Sequence, residues 1–354
     1  MAYSSIVKPT DYFRTKLYTG NGGSQSITFD ETATNMQPDW IWIKKRNGAA
    51  DSSLMDVVRG VRKSLSSNST IADYTESSGL SAFDTNGFSF DGAGYNHVNT
   101  NSDTFAAWTW KAGGSASSNG DGSITSSVSV NTTAGFSIVS YAGNSTAGAT
   151  VGHGLGSAPT WILGKNRTDT DTWFMYHGSL GGGFSMGLNN TNAKDTNTGF
   201  WNNTAPSSTV FTLGNNTDAN ETGKNFIAYC FAEKKGHSKF GSYTGNGNSD
   251  GAFAYTGFKP AFVIIKSSSA SSTNWNMYDN KRDGFNGSNE NLSANLADAE
   301  SSGNNRIDIL SNGFKVRAST ADVGTSSATY IYMAFAENPF VANDSGTAVP
   351  VTAR

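Results

Sequence analysis

Apolar and polar positions along this chain form the same set of short strands three times. Trp40-Ile-Trp-Ile-Lys44, Trp161-Ile-Leu-Gly-Lys165 and Phe262-Val-Ile-Ile-Lys266 are runs that are apolar on both faces, each preceded closely by a proline (Pro38, Pro159, Pro260). A short run of this kind predicts a central strand covered on both sides. Proline at or just before its start gives up no ladder bond that is needed. Trp40, Trp161 and Phe262 are equivalent, and Trp42, Leu163 and Ile264 lie two positions on, on the same face. A closing strand follows in each copy: Phe105-Ala-Ala-Trp-Thr-Trp110, Phe226-Ile-Ala-Tyr-Cys-Phe231 and Tyr330-Ile-Tyr-Met-Ala-Phe335. It alternates a bulky face (Trp108 and Trp110, Tyr229 and Phe231, Met333 and Phe335) with a small one (Ala107 and Thr109, Ala228 and Cys230).

Further landmarks keep the same order and spacing. Tyr18-Thr-Gly-Asn-Gly22 returns as Tyr141-Ala-Gly-Asn-Ser145 and Tyr243-Thr-Gly-Asn-Gly247. Asn86-Gly-Phe-Ser-Phe90 returns as Asn312-Gly-Phe-Lys-Val316, while the middle copy has Ser208-Thr-Val-Phe-Thr-Leu213 there. Asn-Gly before an alternating run reads as a hairpin, because both residues accept positive φ. Met55, Met175 and Met277 align as a shared core position. Helical candidates are limited to turns near Asp56–Ser64 and Glu290–Ala299. A period of about 100 residues is too long for a solenoid unit and has the size of an autonomous domain. The expected fold is all-β, with three tandem antiparallel β-sandwich domains of jelly-roll or lectin-like type at 11–113, 135–236 and 237–340. An N-terminal arm (1–10), a flexible Gly/Ser-rich linker (114–134) and a C-terminal tail (341–354) complete the expected organisation.

Composition narrows the class. Charged residues are 15 % of the chain, against roughly 25 % in an average domain, which leaves a Thr/Ser/Asn-rich surface of extracellular or particle-borne type. Such a composition can also fail to bury a core, but the 12 % aromatic content at repeating strand positions argues for folding. A net charge of −3 without a basic block gives no electrostatic footprint for nucleic acid. No apolar run approaches the roughly 18 residues of a membrane span and the start lacks a signal-peptide core. A single cysteine, Cys230, excludes an intrachain disulfide framework.

Candidate chemistry is sparse. No two of His97, His153, His177 and His237 occupy equivalent positions; His153, in a Gly-rich turn, reads as a turn or surface residue rather than a general base. Asp169 and Asp171 read as a solvated turn rather than a glycosidase pair, and Cys230 as a buried structural thiol. Zinc-ligand spacing is absent, and Asn119-Gly-Asp-Gly-Ser123 lacks the later bidentate Glu of a calcium loop. The expectation is a non-enzyme with no catalytic residues, metal or cofactor. Aromatic residues give the only binding candidates. Trp173 and Trp275 are equivalent and suit either a core or a sugar-stacking platform. Trp201, beside Asn202 in a polar loop, has no counterpart and is the candidate for exposure. The glycan-binding candidates are thus Trp201, Asn202, Trp173 and Trp275.

The stretch Gly152-His-Gly-Leu-Gly-Ser-Ala-Pro-Thr-Trp-Ile-Leu-Gly-Lys-Asn-Arg167, and in the last third Tyr255–Pro260, Asn274–Asp279, Ile307–Phe314 and Tyr330–Phe340, carry a resemblance. They resemble the LamG/concanavalin-like repeat proteins of the tail-fibre and virion gene regions of marine and other tailed bacteriophages. The resemblance spans Asp11 to Phe340 and implies a virion component exposed on the particle. It supplies no catalytic residues. Its first implied role is a tail-fibre or tail-associated protein binding host-surface glycan, in contact with other virion proteins and assembled as a homo-oligomer, with a trimer favoured. A capsid decoration or head-fibre protein is the alternative. A polysaccharide depolymerase comes third, since no constellation of acids is visible for it.

Overall fold

The post-proline runs, the closing runs and the tyrosine motifs become neighbouring strands. In the computed structural model, which describes residues 6–30, 34–95, 97–282, 286–287 and 289–339, the chain is nearly all β and its sheets are antiparallel. Residues 1–5 of the expected arm and the whole of the expected tail lie outside the described residues. Each copy builds a large sheet with one strand order. A leading strand (Phe13–Thr19, Phe136–Ala142, Ser238–Thr244) pairs with the closing strand (Thr104–Trp110, Asn225–Phe231, Thr329–Pro339). That in turn pairs with the post-proline strand (Trp40–Lys45, Trp161–Asn166, Phe258–Ser267), which pairs with an outer strand (Ser53–Asp56, Phe174–His177, Asn276–Asp279). Among the described residues no helix is long and apolar enough to cross a membrane.

The recurring tyrosine motif has a mechanical reason. Tyr18, Tyr141 and Tyr243 each donate a hydroxyl hydrogen bond to a carbonyl just before the closing strand, Val98, Ala219 and Val323, at 2.6, 2.8 and 2.8 Å. Each ring also stacks on the first aromatic of that strand, Phe105, Phe226 or Tyr330. The motif's glycine follows from close backbone approach: a Cβ on Gly20, Gly143 or Gly245 would lie 2.3, 2.4 and 2.3 Å from a carbonyl oxygen of the facing loop.

A small sheet covers one face of each large one: Gln25–Thr28 with Gly87–Phe90 and Leu80–Asp84, Ala149–Gly152 with Val210–Leu213, and Phe253–Tyr255 with Gly313–Val316 and Ile307–Leu310. Separate apolar clusters fill these three spaces, for example Ile27, Ile41, Phe88 and Phe105 in the first copy. The two expected hairpins form at Asp84–Gly87 and Leu310–Gly313. Close approach requires both glycines, since a Cβ on Gly87 or Gly313 would sit 2.0 or 2.1 Å from the Ile27 or Ala254 carbonyl, and Gly87 also holds φ +133°.

Four expectations are corrected. The segment 114–134 is not a free linker: Ser117–Asn119 and Ser126–Asn131 extend the second large sheet, with Val128 opposite Val139 over the second cluster. Only two valines, Val128 and Val130, mark that alternation in a run otherwise of serine and asparagine. Asp56–Ser64 and Glu290–Ala299 are strands and turns, and the short helices lie elsewhere, at Thr198–Trp201 and Thr217–Asn220. Strand register places Leu54, not Met55, beside Met175 and Met277; Met55 matches Tyr176 and Tyr278 on the opposite face. Residues 6–10 of the arm are part of the fold, with Ile6 buried.

The bulky faces of the three large sheets do not meet solvent. They share one cluster containing Trp40, Trp42, Trp108 and Trp110 of the first copy, Trp161, Trp173, Tyr229 and Phe231 of the second, and Phe262, Trp275, Met333 and Phe335 of the third. Trp110, Phe231 and Phe335 are equivalent and touch one another pairwise, with ring centroids 6.4, 5.7 and 5.6 Å apart. They mark a pseudo-threefold axis. Around it the same bond closes each junction: Asp73 N–H to the Arg167 carbonyl, Lys194 to Ser268 and Glu300 to Arg46, at 3.0, 3.0 and 2.8 Å. Asn68, Asn189 and Asn295 are a further repeated landmark, accepting the N–H of Ser52, Trp173 and Trp275 at 2.9, 3.0 and 2.8 Å.

The lysine that ends each post-proline run is buried for a related reason. Lys44, Lys165 and Lys266 turn inward to donate to backbone carbonyls, among them Leu296 of the third copy for Lys44 at 2.6 Å. Burial holds all three ammonium groups down at about 8.

Two junctions carry the same buried charge relay. Between copies one and two, Asp56 accepts from Tyr229 Oη at 2.8 Å and Arg59 Nε at 2.5 Å, and Arg59 faces Asp73, which also pairs with Arg167. Between copies three and one, Asp279 accepts from Trp108 Nε1 at 3.0 Å and Arg282 Nε at 2.6 Å, and Glu300 joins Arg282 to Arg46. The third junction replaces every member: register puts Met333 where Trp108 and Tyr229 stand, and His177 and Leu180 where the Asp–Arg pairs stand. His177 Nδ1 accepts the Ser179 N–H at 3.0 Å, as the Asp56 carboxylate accepts that of Val58. The ring must therefore be neutral with its proton on Nε2.

Burial, opposed by the Tyr332 backbone, lowers His177 from 6.5 to about 4. Below pH 6.5 the unfolded chain takes up a proton that the folded chain refuses until about pH 4, so stability present above 6.5 is lost as pH falls through that window. The expected loss is ~3 kcal/mol. Because Glu76 and His237 titrate over the same range, the His177 part is isolated by comparison: denaturant titrations of the parent and of His177→Gln at pH 7 and pH 4 should show the parent losing about that amount more than the variant on acidification.

Candidate functional site

Three copies of one scaffold on one chain provide an internal control. A side chain that the fold needs recurs at its register position, whereas one placed for another purpose need not. The first strand of each small sheet is aligned by its inward residue, since Ile27, Val151 and Ala254 lie opposite Phe88, Phe211 and Phe314. The flanking positions point away from the core. They are Ser26 and Thr28 in the first copy, Thr150 and Gly152 in the second, and Phe253 and Tyr255 in the third. These two aromatic residues are 45 % and 51 % exposed. Packing does not demand them, because serine, threonine or glycine serves in the other copies.

The two side chains leave an edge strand at positions about 7 Å apart and border a polar surface. Phe253 lies opposite Lys315, and Lys315 lies opposite Asp308 on the next strand, so the three share one face. Lys315 pairs with Asp250 at 2.7 Å, and that hydrogen bond holds the exposed Asp250 carboxyl below its usual range. Arg317 pairs with Asp308. Asp308 and Arg317 then line a cavity of ≈ 360 Å³ together with Ser249, Asn286, Gly287 and Asn305. Asn286 is itself held by two 2.9 Å bonds to the Ile309 backbone. The cations are matched by carboxylates, which leaves a surface of aromatic faces and fixed hydrogen-bonding groups with little net charge. Such a combination suits a polyhydroxylated ligand: rings for its apolar C–H faces, and amide, carboxylate and guanidinium groups for its hydroxyls.

The candidates named from the sequence lie elsewhere. Trp173, Trp201 and Trp275 are 0, 1 and 1 % exposed, which closes their faces to a sugar. Trp201 packs against Phe174, Tyr176 and Phe211 in the core of the second copy, while Asn202, exposed, caps the short helix behind it. Trp173 and Trp275 are staples between copies: their indole N–H groups donate to the Ser66 and Gly187 carbonyls at 2.9 and 3.0 Å. His153, expected at a turn or on the surface, is fully buried, with Nδ1 accepting the Leu155 N–H. Asp169 and Asp171 separate, to Lys224 and Asn166. Cys230 is buried, which pushes its thiol far above its ordinary value. The signal for Phe253 and Tyr255 was present in the sequence as an aromatic–small–aromatic alternation, but only strand register shows that their counterparts are polar.

An all-β chain of three related sheet pairs, one of which carries two exposed aromatic residues beside a polar cavity, is thereby defined. The chain belongs to the DUF7483 family, a domain of unknown function, which it matches over residues 8–339. No curated protein matches it. No solved structure matches it.

Proposed function

We propose that this chain is a non-enzymatic protein of a tailed-bacteriophage particle, a tail-fibre or tail-associated component that holds host-surface glycan on the Phe253–Tyr255 face. Its three units are read as tandem sandwich modules of jelly-roll or lectin-like type, two serving as scaffold and the third carrying the ligand. The observation that carries the reading is the pair of exposed rings, present in one copy alone, beside a charge-balanced polar cavity. The arrangement supports a neutral glycan over an acidic one, since Lys315 and Arg317 are already engaged by Asp250 and Asp308. The ring of three copies already supplies within one chain the threefold arrangement that a fibre obtains from three chains. Many such chains on one particle would turn weak sites into firm attachment.

The test is adsorption of the purified chain to host cells and to immobilised host polysaccharide. Phe253→Ala with Tyr255→Ala is expected to weaken binding at least tenfold, as loss of ~1.4 kcal/mol or more requires, with the melting temperature unchanged. Equal adsorption by the double variant would remove this face from the reading. Failure of the parent chain to adsorb, with antibody labelling of the capsid shell, would turn it into a decoration protein. Release of sugar fragments would overturn the non-enzymatic claim.

A further inference from the structure

The first copy holds an acid that nothing in the fold explains. Glu76 is 3 % exposed, and neither of its carboxyl oxygens has a hydrogen-bond partner. The hydroxyls of Ser64 and Ser66, also buried, are likewise unpartnered. No hydrogen bond of 3.5 Å or less joins them, but the Ser64 hydroxyl lies close enough to both Glu76 and Tyr74, and that of Ser66 to Tyr74, for a weak longer interaction. Two glycines form a cradle at the carboxyl group: a Cβ on Gly79 or Gly94 would come 2.7 or 2.5 Å from Glu76 Oε2.

The other copies show that this acid is optional for folding. Strand pairing places Ser185, Asp195 and Asn197 of the second copy, and Asn291, Ser301 and Gly303 of the third, at the positions of Ser64, Tyr74 and Glu76. Asn197 is satisfied, accepting the Gly199 N–H at 2.9 Å. Among the described residues, an acid with unpartnered oxygens occurs in the first copy alone. An isolated ionised carboxylate costs several kcal/mol to bury, so it takes up either a proton or a counter-ion. Arg62, whose carbonyl accepts the Glu76 N–H, is committed to Asp91 and the Ser77 carbonyl. Burial lowers the pKa of His97, which favours its neutral form.

We propose that Glu76, with the hydroxyls of Ser64, Ser66 and Tyr74, forms a binding site for a small singly charged cation, an alkali-metal ion or ammonium. The donors are all oxygen, which suits hard cations. One carboxylate balances one positive charge, whereas a divalent ion would leave a net charge in a buried pocket. Protons compete for the same oxygens: burial, opposed by Ser64, raises the Glu76 carboxyl from 4.5 to about 7. Cation binding therefore belongs above neutral pH and fades below it.

Thermal melts of the full chain at pH 8 and constant ionic strength test the site, with choline chloride replaced in turn by sodium, potassium or ammonium chloride. The melting temperature is expected to rise by about 2 °C or more with at least one small cation. It should show no such response at pH 5.5. Glu76→Gln, nearly isosteric and free of the charge, should melt in choline at or above the parent at pH 8 and ignore the cation. The same response in Glu76→Gln would place the ion elsewhere and overturn the proposal. Equal melting in every salt would leave bound water and the proton as the only occupants, and a response to calcium alone would break the charge match. Either result refutes it.

Discussion

Replacing Trp110 with alanine is expected to cost ~3–5 kcal/mol, the range for a large aromatic removed from a packed core. It should also weaken all three copies together. The ring is 1 % exposed and contacts Trp40 within its own copy, Phe231 of the second, and Phe262 and Phe335 of the third. A cavity there opens on the axis, where no single copy can collapse to fill it. Denaturation followed by tryptophan fluorescence should remain one transition, shifted to lower denaturant, and amide exchange should quicken in Phe136–Ala142 and Ser238–Thr244 as well as in Phe13–Thr19. Exchange confined to the first copy would show that the copies are energetically separate. The shared cluster argues the opposite, since a copy excised at 11–113 would expose Trp40, Trp42, Trp108 and Trp110, a patch that soluble monomers do not carry.

Arg59→Leu is expected to be as damaging, at ~3–5 kcal/mol, because it strands the buried Asp56 carboxylate without its cation. The third junction supplies the remedy. Its Met333, His177 and Leu180 occupy the positions of Tyr229, Asp56 and Arg59 and keep the same backbone geometry without charge. Asp56→His, Arg59→Leu and Tyr229→Met combined should therefore recover the larger part of the loss, measured as the denaturation midpoint of the triple variant against the single one. A triple variant no more stable than Arg59→Leu would mean that the relay is held for more than charge balance. The comparison is a double-mutant cycle in spirit, with the chain itself providing the reference.

These junctions show where sequence reading stopped. The equivalence of Trp40, Trp161 and Phe262 was legible because a strand buried on both faces admits few polar residues, and repetition of the pattern tripled the signal. The tyrosine motif was legible for the same reason, although its purpose, a hydroxyl reaching a loop about 80 positions away, was not. The placement of Trp173, Trp201 and Trp275 could not be read. A tryptophan that staples one copy to the next, one that plugs a core from a polar loop, and one that meets a sugar share the same local sequence. Only burial separates them. Phe253 and Tyr255 failed in the opposite sense, since an alternating aromatic strand resembles a core strand until its register is known.

By itself the sequence determined the strand periods, the triplication and the all-β class, because these depend on patterns within a few residues and on their recurrence. The tertiary structure decided how the three bulky faces are spent. Packed around one axis, they bury each other, and Trp173 and Trp275, weighed as a sugar-stacking platform, become part of the common core. The axis also decided which acids are paired across junctions, such as Asp56 and Asp279. Contacts between residues a hundred or more positions apart set burial and charge pairing, and a linear pattern carries no record of which distant face will cover it.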